Sequence, residues 1–153
     1  MSNEKSEKES KAKYTERGFL KYSDKVIELF KNPKNVGEMD DADVTVQEGD
    51  PTCGDMIQLQ LKIEDNVIED VKFLSFGCAA NIATGSALTE MVKGKTLGES
   101  KKVTMKDIKE EVGGLPPVKM HCAVLATRAL ESALKKAIEM YESGEGSESE
   151  PPD

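Results

Sequence analysis

The stretch "MIQLQLKIEDNVIEDVKFLSF", residues 56–76, constrains the fold of this chain more than any other. Ile57, Leu59, Leu61 and Ile63 alternate with polar side chains, which is the period of a strand with one buried face. After a turn at Glu64 to Asn66, Val67 and Ile68 open a second run, so the stretch reads as an antiparallel hairpin. Upstream, "DVTVQEG" alternates in the same way and supplies a third strand. Gln58, Gln60 and Lys62 fall on the opposite face, which is expected to meet water. A sheet with one apolar face needs a cover, and the rest of the sequence must provide it.

Helical patterns do so. Ser23 is a candidate N-cap for "DKVIELF", with Val26, Ile27 and Phe30 on one face, and "KNPKNVGEM" ends that helix. "AANIATGSALTEMVKG" is rich in small residues and closes at Gly94, a natural residue just past a helix end. Thr104 caps "MKDIKEEV", which stops at Gly113 and Gly114. The longest helix spans about Met120 to Glu142, with Ala126, Leu130, Leu134 and Ile138 every four residues and Ala123, Ala133, Ala137 and Tyr141 beside them. The expected architecture is α+β: a three-stranded antiparallel sheet with helices packed on one face.

A chain of 153 residues fits one domain. Residues 1–20 are charged and without periodicity, and residues 143–153 form a polar acidic tail; both are expected to be disordered, leaving a domain over 21–142. No apolar run approaches the roughly 18 residues of a membrane span. The start interleaves Lys with Glu and has no apolar core, unlike a secretory or transit segment, so a cytoplasmic location is expected. The net charge of −8 opposes binding to nucleic acid or to anionic lipid.

The chemistry lies in three cysteines and one histidine. Cys53 sits in "DPTCGD" between the first strand and the hairpin, Cys78 in "FGCAA" where a strand gives way to a helix, and Cys122 follows His121 after two prolines. In a reducing compartment, thiols are buried as small hydrophobes, reactive, or bound to metal. These three occupy loops or element ends, where ligands and nucleophiles concentrate. Cys78 and Cys122 fall near helix N-termini, where the dipole and free N–H groups favour the thiolate. Gly54 lets the backbone approach an ion, and Asp55 adds an oxygen donor. The gaps between the cysteines match no zinc-finger spacing.

The stretches "YSDKVIELFKNPKNVG", "CGD" at 53–55, "FGCAA", "EMVKGK" and "LPPVKMHC" at 115–122 together resemble the iron–sulfur cluster assembly scaffolds of the IscU and NifU N-terminal type. The resemblance covers nearly the whole domain. It implies a scaffold that builds a [2Fe–2S] cluster from iron and from persulfide sulfur supplied by a cysteine desulfurase, then passes it to apo-proteins. It implies that Cys53, Cys78 and Cys122 are the scaffold cysteines and that Asp55 and His121 are the non-thiolate ligands. Lys119 falls near the cluster, and Cys122 is the persulfide acceptor. Leu115, Pro116, Pro117, Val118 and Lys119 match a segment offered to an Hsp70-type chaperone, and Tyr22 a tyrosine linked to dimerisation and sulfur reduction. The chain departs from the family's pattern in an acidic "MDDADVTVQEGDP", in "CAAN" where Gly-Ser commonly follows the second cysteine, and in lacking a basic C-terminal tail.

Zinc is the alternative cargo, because Cys, Asp and His satisfy its tetrahedral shell. A Cys–His thiol enzyme is the third class. Neighbouring residues on a helix do not face each other, which makes His121 a poor base for Cys122.

Overall fold

A computed structural model describes residues 22–50 and 54–142, with side chains to residue 140. The expected terminal segments 1–20 and 143–153, Cys53 and the Tyr141 side chain therefore lie outside the described residues.

Helix α1 covers Asp24–Lys31, and Ser23 caps it by accepting from the Val26 N–H. The Ser23 hydroxyl also donates to the Val112 carbonyl, tying this helix start to a distant loop. Strands β1 (Val44–Asp50), β2 (Asp55–Glu64) and β3 (Val67–Phe76) form one antiparallel sheet in that order. The hairpin turns on Asp65 and Asn66, both at positive φ (50° and 68°), which suits a tight two-residue turn. The outer edge of β3 is occupied. Phe73 exchanges backbone hydrogen bonds with Asn35 and Gly37, and Ile68 with Gly94 and Lys95.

Helix α2 (Ala79–Val92) lies on β3, and the long α5 (Met120–Glu142) crosses β1 and β2. Between them are α3 (Leu97–Ser100) and α4 (Met105–Glu111), the latter capped by Thr104 and Asp107 in a reciprocal box. The core is built from Leu59, Leu61, Val71 and Phe73 of the sheet against Ala80, Ala83, Leu88, Ala126 and Leu130 of the helices. Small residues set the approach of helix to sheet. A Cβ on Gly85 would stand 2.6 Å from the Phe73 ring.

The α+β architecture and its caps are as expected, with three differences. Val26 and Leu29, not Phe30, are the buried residues of α1; Phe30 is 46% exposed because α1 rests on α2 through the Val26–Leu29 side. Gln60 on the presumed wet face is buried, its amide accepting from the Met39 N–H and donating to Thr45 Oγ1. Helix α3, with its Thr96–Glu99 capping box, and a 3₁₀ turn at Pro117–Lys119 are additional to the expected elements.

Candidate functional site

Strand pairing places Met56 opposite Phe76, so the start of β2 and the end of β3 lie at one end of the sheet. Asp55 opens β2 there. Past Phe76 the chain turns through Gly77 at φ +137° and delivers Cys78 as the N-cap of α2. From the third side, Pro116 and the 3₁₀ turn aim the start of α5 at the same point. Cys122 is the third residue of α5 and is 1% exposed, whereas Cys78 is half-buried.

The two sulfurs stand 3.7 Å apart. They behave as one dithiol holding a single proton between them. The Cys78 thiol is drawn down from the ordinary 9.0 to about 4, chiefly because Cys122 donates to its sulfur, with help from the Asn81 and Ala80 N–H groups and the Lys119 charge against the cost of burial. Cys122 is pushed up far beyond the thiol range by the Cys78 thiolate and by burial. The pair thus favours a single thiolate, and the hydrogen between the two sulfurs can sit on either. Cys122 is the more buried of the two, and burial penalises its charge.

His121 connects the sulfurs to Asp55. Its Nδ1 lies 3.1 Å from the Val118 carbonyl and can donate to it. Nε2 faces the site, 3.1 Å from Asp55 Oδ2 and 3.6 Å from Cys122 Sγ. This corrects the argument from helix geometry: the ring folds back over the first turn and does reach its neighbour's sulfur. Nδ1–H bonded to a carbonyl with Nε2 turned inward is also how a metal-ligating imidazole is usually fixed.

The residue that sequence reading passed over is Asn81. It is 3% exposed, and its Nδ2 donates to Asp55 Oδ1 at 3.1 Å and to the Phe76 carbonyl at 2.8 Å. Its one signal in the sequence is the unusual "CAAN". The structure thus brings together Asp55, Cys78, His121 and Cys122, with the Lys119 charge acting on both thiols. Among the described residues, no three His, Cys, Asp or Glu side chains already form a metal-binding group. The donors are paired with one another: sulfur with sulfur, imidazole with carboxylate. They suit soft and borderline ions such as iron and zinc.

Residues 21–146 match the family model of the NifU-like N-terminal domain. This chain belongs to that family. NifU-like relatives include an iron–sulfur cluster assembly scaffold protein IscU of Archaeoglobus fulgidus, 53% identical over 113 residues, which span 74% of each chain. IscU of Haemophilus influenzae is 47% identical over 131 residues, covering 83% of this chain and all of the relative. Among solved structures, a candidate scaffold protein for the SUF system from Fervidobacterium islandicum superposes with a TM-score of 0.64 at 25% identity, covering 74% of this chain and 96% of that one. The N-terminal NifU-like domain from Brucella abortus shares the fold, with a TM-score of 0.61 at 18% identity over 76% of this chain and 94% of that one. Among the described residues, no helix of this NifU-like chain is long and apolar enough to cross a membrane.

Proposed function

We propose that this chain is an assembly scaffold. It takes up iron and sulfur, holds them as a [2Fe–2S] cluster, hands the cluster to apo-proteins, and turns over no substrate of its own. One observation carries this reading: two coupled thiols, an imidazole and a carboxylate from three separate elements meet at one end of the sheet. Cys53, two residues before Asp55, would supply the third thiolate. A [2Fe–2S] core normally takes four ligands, so three cysteines leave one place for Asp55 or His121. Either is more easily exchanged than a thiolate, which suits cargo that must leave.

Sulfur would arrive from a cysteine desulfurase at Cys122. The Cys122 sulfur attacks the terminal sulfur of the desulfurase persulfide, and the desulfurase thiolate leaves. The Cys122 proton is released in the transfer and ends on the departing desulfurase sulfur. Lys119 steadies the negative charge. The docking surface has an apolar rim: Phe76 and Val118 are 56% and 65% exposed beside the site, while Leu115 is anchored in the core. We assign Leu115 to Lys119 as the segment for an Hsp70-type chaperone, and the apo-acceptors to the same rim. A homodimer and a cytoplasmic location complete the reading, the latter because free thiols persist in a reducing compartment.

Zinc fits the same donors and is the competing cargo. Anaerobic reconstitution with iron, cysteine and a desulfurase, followed by iron, zinc and acid-labile sulfide counts, decides between them. A [2Fe–2S] chromophore that is lost in each of Cys53→Ser, Cys78→Ser and Cys122→Ser is the expected result. Zinc with no sulfide, or full cluster occupancy in Cys78→Ser, overturns the reading. Without iron, mass spectrometry should find the added sulfur on Cys122, and sulfur found only on another cysteine reassigns the acceptor.

A further inference from the structure

Asn81 is buried within a helix of small residues and spends both amide hydrogens at the site, one on Asp55 Oδ1 and one on the Phe76 carbonyl. Its own Oδ1 is buried and has no hydrogen-bond partner among the described residues. A buried amide that leaves an acceptor unpaired costs stability, so packing alone does not account for this side chain. The neighbouring backbone is shaped around the contact. A Cβ on Gly77 would lie 2.5 Å from Asn81 Nδ2 and 2.7 Å from Asp55 Oδ1, so only glycine leaves room for the carboxylate and the amide to meet.

The geometry divides the two oxygens of Asp55. Oδ1 is held by Asn81, and Oδ2 is turned to His121. We propose that Asn81 is a positioning residue for the metal: it holds Asp55 by one oxygen and so presents the carboxylate to an incoming ion through Oδ2 alone. Single-oxygen binding makes Asp55 a weak donor that an entering thiol can displace, and a carboxylate freed to grip through both oxygens would be harder to dislodge. This rests on Asp55 being a ligand, as proposed above.

The test is a double-mutant cycle read with cobalt(II), whose visible bands report coordination number. The full chain would be loaded anaerobically as unaltered protein, Asn81→Ala, Asp55→Ala and the double variant, with folding checked by thermal melting. Loss of a partner that orients a ligand typically changes metal affinity about 10- to 100-fold. Asn81→Ala is expected to shift the cobalt spectrum and change the dissociation constant on that scale, and to do neither once Asp55 is alanine. Asn81→Asp, of the same size, also removes the amide donor and should give the spectrum of Asn81→Ala; it serves if Asn81→Ala does not fold. An Asn81→Ala spectrum equal to the unaltered one, beside a changed Asp55→Ala, overturns the proposal and leaves Asp55 a ligand. An Asn81 effect that persists undiminished without Asp55 overturns it too, because the residue then acts through the fold. No change in Asp55→Ala overturns the ligand reading itself.

Discussion

Single atoms set the behaviour of the dithiol. Because Cys122 donates to Cys78, the folded chain releases the Cys78 proton near pH 4, whereas an ordinary thiol holds it to about 9. The stability from this group is therefore full above the ordinary value and is lost as pH falls through the lowered one. Cys78 is expected to alkylate readily at about pH 6, where ordinary thiols are slow, and Cys122 to stay unreacted. Peptide mapping after brief iodoacetamide treatment reads both. Cys122→Ala removes the donor, and the Cys78 profile should then move up towards the ordinary range; an unmoved profile would mean that the helix terminus alone sets it. Asp55 makes the second case. A carboxylate is a hard donor, poorly matched to iron in a sulfide-rich cluster, while thiolates match well. Asp55→Ala is expected to retain its cluster longer and to pass it to an apo-ferredoxin more slowly, as decay of cluster absorbance would record. Faster loss would make Asp55 a needed anchor instead. The sulfurs, the imidazole and Asp55 are legible in the sequence because each residue type announces its chemistry. Asn81 is not, since its meaning depends on a carboxylate 26 residues away.

Among the elements, helix ends are the most legible. Ser23 and Thr104 act on backbone groups within a few residues, and Gly94 takes a left-handed conformation just past the C-cap Lys93, so local sequence suffices to find them. Helix α3 escapes because four residues hold no period, although its Thr96–Glu99 box is present in the sequence. Phe30 misleads because periodicity names an apolar stripe without saying which flank meets α2. Two glycines show how elements are fitted together. In Gly85→Ala the new methyl would press on the Phe73 ring, and overfilling a packed core costs about 1–3 kcal/mol. Gly77→Ala has a strained backbone as well as a clash with Asn81 and Asp55, again about 1–3 kcal/mol. The two should differ in kind. Gly85→Ala is expected to lower the melting temperature and leave the cobalt spectrum alone, while Gly77→Ala changes both.

For the whole molecule, the family match over 21–146 and the described fold coincide closely. A chain cut to residues 21–142 is expected to reconstitute its cluster to the same iron and sulfide content as the full chain. Lower content would give the ends a part in holding the cargo. The sheet order was legible because each strand follows its neighbour in sequence, so no long crossover had to be guessed. One further consequence concerns the outer rim of β3, where Asn35 to Gly37 and Gly94 to Lys95 already satisfy the backbone of Phe73 and Ile68. A bare strand edge is a template on which other chains can polymerise. On that side the protein's own loops interrupt the template at two points, so a strand of another chain cannot run along it unbroken to seed a fibre.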